Sequence, residues 1–101
     1  MKLTMLPPAR QEMLLAARWY DDREHGVGDR FLDEIRSSLL SIRDFPEASP
    51  PLDDTYRRKI VGVYSYGLIY RVDSLEITVV AVMHLKRRPG YWRKRLGPSD
   101  P

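Results

Sequence analysis

The spacing of hydrophobic positions changes near residue 56. Upstream, small and apolar residues recur at helical intervals: Ala9, Met13, Ala16, Ala17 and Tyr20 form one stripe, and Phe31, Ile35, Leu39 and Ile42 a second. Pro8 suits a first helical turn, the polar run Asp21–Gly26 ends on a helix-stopping glycine, and Pro46 closes the second stripe. These signals predict helices near 8–24 and 29–45, joined by a turn short enough to make them an antiparallel hairpin. A short apolar run at 2–6, ahead of Pro7-Pro8, predicts a small strand. Pro46–Thr55 has three prolines, three acids and no periodicity, so it reads as a loop. Beyond it, β-branched and aromatic residues predict strands near 60–64, 67–73 and 76–84, with breaks at Ser65-Tyr66 and Asp73-Ser74. The order βααβββ implies an α+β fold: a helical hairpin packed on one face of a small, mostly antiparallel sheet. One domain is expected over 1–101, with its core at about 3–95 and a tail at 96–101.

The last strand runs into a basic, aromatic block, Met83–Arg95. Lys86, Arg87, Arg88, Arg93, Lys94 and Arg95 give it six cations and no acid, with Tyr91 and Trp92 among them. Cations interleaved with flat rings suit phosphates and unstacked bases, and equally an acidic partner segment. The net charge of +3 conceals a split. Residues 1–54 hold 7 Lys and Arg against 11 Asp and Glu, net −4, and residues 55–101 hold 10 against 3, net +7. Arg57-Arg58-Lys59 and Arg71 add to the positive half, and alternation along a strand could bring some of them onto one basic surface with the block.

The absence of cysteine excludes a disulfide framework and a cysteine-rich zinc site. The opening residues lack the apolar core of a signal peptide, and no 18-residue apolar run exists, so the expectation is a cytoplasmic protein without a membrane partner. No cluster of ligand residues calls for a metal and no glycine-rich loop for a nucleotide, so no cofactor is expected. His84 admits two readings, a general acid or base near neutrality or a strand cap. Trp92 admits two as well, a contact for a partner or an anchor folded back into the core. Trp19 and Tyr20 read as packing. Phosphodiester cleavage through a 2′-hydroxyl would need cations on the phosphate and a proton-transfer group, and Tyr91 or Lys86 could serve only with a strongly lowered pKa.

Three stretches together resemble the ParE/RelE superfamily of toxins from type II toxin–antitoxin systems. They are Gly28-x-x-Phe31-Leu32-x-Glu34-Ile35 with Ile42 and Pro46, then Arg58, Tyr64, Tyr66 and Tyr70-Arg71-Val72, then His84-x-Lys86-Arg87-x-Pro89-x-Tyr91-Trp92. The closing stretch is similar to the ParE-type branch, although Arg88 stands where such members are expected to carry Asp or Asn. The resemblance implies a small basic toxin bound by a cognate antitoxin in a hetero-oligomer. RelE-type members cut messenger RNA on the ribosome with cations of the meander strands and a C-terminal tyrosine. ParE-type members poison DNA gyrase and lack that set. Strand interiors poor in lysine favour the ParE-like reading here; a RelE-like endoribonuclease and an inactive toxin-fold binding module are the alternatives. On the enzymatic reading the catalytic candidates are Arg58, Arg71, Arg87 and Tyr91. For target or antitoxin binding they are Arg58, Lys59, Arg71, His84, Lys86, Arg87, Arg88, Tyr91, Trp92 and Arg95.

Overall fold

A computed structural model describes residues 1–96; of the expected tail, 97–101 lie outside the described residues. The elements run β1 (Lys2–Met5), α1 (Pro7–Arg23), α2 (Val27–Asp44), β2 (Tyr56–Ile60), β3 (Tyr66–Val72), β4 (Glu76–His84) and a single 3-10 turn at Arg93–Arg95. The four strands form one mixed sheet in the order β1-β4-β3-β2. β1 lies parallel to β4, and the other two pairings are antiparallel. The α+β class and the helical hairpin are as the sequence implies.

Two elements move by more than a single residue, each for a local reason. α2 starts at Val27, not Asp29, because a carboxylate from α1 caps it: Asp21 Oδ1 accepts the Gly26 and Gly28 N–H at 2.9 and 3.3 Å. The hairpin closes tightly there, since a Cβ on Gly28 would lie 2.5 Å from the Ala17 carbonyl oxygen. β2 occupies 56–60 where the apolar pattern predicts 60–64. Residues 61–65 are instead a turn, closed by Val61 N–H to Tyr66 O at 2.9 Å and Tyr64 N–H to Val61 O at 3.0 Å, with Gly62 at φ 47°. Val61 and Tyr64 still reach the core, but as anchors of the turn.

The helical hairpin covers one sheet face through Ala9, Ala16, Phe31, Ile35 and Ile42, packed on Leu68, Tyr70, Ile77, Val79 and Val82. A second, smaller core fills the opposite face, where Tyr56, Ile69, Val80, Ala81 and Met83 surround Trp92. The segment after β4 therefore doubles back across the sheet, and β4, covered on both sides, reads as an unbroken apolar run. A bulge makes this possible. Tyr70 pairs with Val79 and Ile69 with Ala81, so Val80 has no opposite residue and both Val80 and Ala81 serve the second core. The proline-rich loop is pinned: Arg57 Nη1 donates to Ser49 O at 2.7 Å, Tyr70 Oη to Pro46 O at 2.7 Å, and Asp53 Oδ1 accepts the Thr55 and Tyr56 N–H.

Candidate interaction surface

Glu12 organises the C-terminal block. It sits within the buried stripe of α1, one turn from Ala9 and one from Ala16, with 14% of its side chain exposed. Arg95 forks onto it, Nη1 to Oε1 at 2.7 Å and Nη2 to Oε2 at 3.1 Å. The Tyr91 hydroxyl donates to Oε2 at 2.5 Å, and Arg87 Nη1 lies 3.4 Å from the same oxygen. Oε1 also accepts the Val82 N–H at 3.1 Å, while Arg95 donates to the Val80 carbonyl at 2.9 Å. β1 ends at Met5, opposite Val79, so the next outward backbone groups of β4 meet this ion pair in place of a strand. Bidentate geometry, several donors on one carboxylate and partial burial distinguish it from an ordinary surface pair.

This network sets the electrostatics of Tyr91. Burial pushes its phenol well above the usual tyrosine range, and the hydrogen bond to Glu12 and the carboxylate charge push it further. A catalytic phenol would need the opposite shift. The Glu12 bond likewise raises the Arg95 guanidinium, against the effect of burial. His84 Nδ1 accepts the Lys86 N–H at 3.1 Å, so that nitrogen is already engaged as an acceptor. Its ring meets Tyr66 edge-on at 5.1 Å.

The remaining candidates divide by position. Trp92 is 2% exposed, with Tyr56 against its ring at 4.7 Å, so it is a core anchor and presents no surface to a partner. Arg93 lies over Trp92 and pairs with Asp53 at 2.6 Å; that pairing holds the Asp53 carboxyl below its usual range, with help from the Thr55 and Tyr56 N–H groups. Register places Arg58 opposite Ile69 and Arg71 opposite Tyr56, on the face the C-terminal segment crosses. The stem of Arg58 passes over Gly67, where a Cβ would be 3.1 Å from its Cγ. Lys59 lies opposite Leu68, on the helical face, and does not join them. Lys86, Arg88 and Lys94 are exposed, and among the described residues no carboxylate lies within ion-pair distance of them.

Beside this block an open groove of about 600 Å³ runs between α1 and the end of the β3–β4 hairpin. Leu15, Trp19, Tyr20, Tyr66, His84 and Arg87 line it. Tyr20 packs against Phe31 and Tyr64, as the helical spacing implies, but Trp19 is 49% exposed, with Arg23 stacked 3.5 Å above its ring. Leu15 is 59% exposed. Glu12, Leu15 and Trp19 escape a reading by motif. Glu12 leaves one trace, an acid inside an otherwise apolar stripe.

The model of the ParE toxin of type II toxin–antitoxin systems, parDE, matches residues 3–89. The chain belongs to the ParE toxin family. Among solved structures, a chain described as the chromosomal ParDE toxin–antitoxin system from P. aeruginosa superposes with a TM-score of 0.74. The superposition covers 83% of this chain and 95% of that one at 12% identity, a likeness of fold alone. No curated protein matches the sequence. The family is the one that the residues around Phe31, Tyr70 and His84 resemble. Among the described residues no group of three His, Cys, Asp or Glu could hold a metal, and no helix is long and apolar enough to cross a membrane.

Proposed function

We propose that this ParE-family chain arrests growth by binding a macromolecular target, DNA gyrase, and is neutralised in the cytoplasm by a cognate antitoxin in a hetero-oligomer. The observation that carries the binding mode is the tie between Tyr91 and Glu12. The Tyr91 phenol, placed among the cations of the block, is a neutral donor held by a carboxylate, and His84 Nδ1 is engaged by a backbone N–H. Cleavage chemistry needs a group able to take a proton, whereas a poison spreads its energy over several contacts. Lys86, Arg88 and Lys94, with Arg58 and Arg71 on the same side of the sheet, supply contacts to the target. The groove of Leu15, Trp19, Tyr66 and Arg87 suits one apolar face of an amphipathic antitoxin segment, whose acids meet the neighbouring cations.

Purified protein is added separately to a gyrase supercoiling reaction and to ribosomes programmed with messenger RNA. The expected result is loss of supercoiling with intact message, reversed by the small acidic protein of the adjoining reading frame. Message cut on ribosomes with supercoiling unaffected replaces this reading with the RelE-like endoribonuclease. Activity in neither, with tight binding to the adjoining protein, replaces it with the inactive binding module.

A further inference from the structure

The two edges of the sheet are finished differently. β2 is covered: Pro51 bridges Arg57, the Leu52 N–H reaches Tyr56 O at 2.8 Å, and the Arg58 N–H reaches Pro50 O at 3.2 Å. β1 pairs only with β4. The Leu6 N–H bonds Val79 O, so by alternation Thr4 and Lys2 turn their backbone groups to β4, and Leu3 and Met5 turn theirs outward. Among the described residues, no backbone or side-chain group bonds those two N–H and two C=O groups. An open edge of this kind is a template for another strand.

A groove of about 300 Å³ lies along this edge, between β1 and α2. Leu3, Leu39 and Leu40 form its floor with Met1, and Lys2, Arg36 and Arg43 stand around it. Leu40 is 45% exposed and Met1 58%. Arg43 has only a 3.9 Å contact to Asp44, both half-exposed, so its charge remains available. A second copy of the chain would set Lys2, Arg36 and Arg43 against their own duplicates, which like-charge repulsion disfavours. We infer that the β1 edge takes an extended segment of a partner protein as a fifth strand, with apolar side chains over Leu3, Leu39 and Leu40 and acids at both ends facing Lys2, Arg36 and Arg43. Main-chain bonds to Leu3 and Met5 supply the seat, and the groove and its cations select the sequence. The site is separate from the α1 groove and stands whether or not the chain poisons gyrase.

The probe is the blocked peptide acetyl-Glu-Asp-Ile-Thr-Val-Asp-Glu-amide, titrated into the isotope-labelled protein with amide exchange followed residue by residue. Slowed exchange at the Leu3 and Met5 amides is expected, with affinity falling about tenfold or more in Arg36→Glu/Arg43→Glu and binding lost when the central threonine of the peptide is proline. Both arginines are exposed on α2, so the variant keeps its fold, checked by its unfolding midpoint. Shifts confined to Lys86, Arg88 and Lys94, with Leu3 and Met5 unchanged, would overturn the inference, since the peptide would then be held by general basicity. So would a dimer of the free protein that Leu40→Glu dissociates, because the edge would then belong to a second copy.

Discussion

The six cations of the basic block divide into two sets of three. Arg87, Arg93 and Arg95 turn inward to Glu12 and Asp53, while Lys86, Arg88 and Lys94 face solvent. The division follows from which acid the fold brings near each one. Glu12 is 83 positions from Arg95 in sequence, and Asp53 is 40 from Arg93. Much of the contrast between an acidic first half and a basic second half is thus spent inside the molecule, stitching the C-terminal segment to α1 and the proline-rich loop. Arg95, read from sequence as a binding residue, also ties the segment to α1, and Lys86, Arg88 and Lys94 are the cations of the block that face solvent.

The largest effects are expected in the inward set. Trp92→Ala empties the second core and should lower stability by about 3–5 kcal/mol in denaturant unfolding. Glu12→Ala leaves the Arg95 guanidinium and the Val82 N–H without their acceptor in a partly buried site, and should cost about 2–4 kcal/mol. A Glu12→Ala protein as stable as wild type would dissolve the division between the sets. Tyr91→Phe removes one donor and leaves the ring under Arg87, so about 1 kcal/mol is expected, with growth arrest retained. Arrest abolished in a folded Tyr91→Phe protein would point to a catalytic phenol.

The inward contact between Arg93 and Asp53 gives a pH test. The Asp53 carboxyl is held below its ordinary value of 3.8, first by Arg93 and then by two backbone N–H groups. A depressed carboxyl contributes stability above its unfolded pKa and loses it as pH falls through the folded one. The loss should therefore appear below about pH 4 and be absent in Asp53→Asn. Both partners are substantially exposed, so solvent screening keeps it under about 1 kcal/mol.

Legibility in the sequence followed the same line. α2 and β4 were plain because a strong helical stripe and a long apolar run depend on neighbours in sequence. β2 escapes the apolar pattern because it carries three consecutive cations, Arg57-Arg58-Lys59, while the apolar residues that look like its strand, Val61 and Tyr64, anchor the following turn. The return of the C-terminal segment across the sheet depends on the bulge at Val80 and on Glu12, whose partners Val82, Tyr91 and Arg95 lie 70, 79 and 83 positions away. Local pattern carries no record of such pairings. The β1 edge was equally silent, since the presence of a strand does not say which side it pairs on.

The most direct test is the triple variant Lys86→Ala/Arg88→Ala/Lys94→Ala, compared with wild type for thermal unfolding midpoint and for growth arrest on expression in the same cells. The expected result is an unchanged midpoint, within the roughly 0.5 kcal/mol typical of exposed sites, together with loss of arrest. Arrest at wild-type strength from the stable triple variant would contradict the account, because the outward cations would then have no part in what the toxin does.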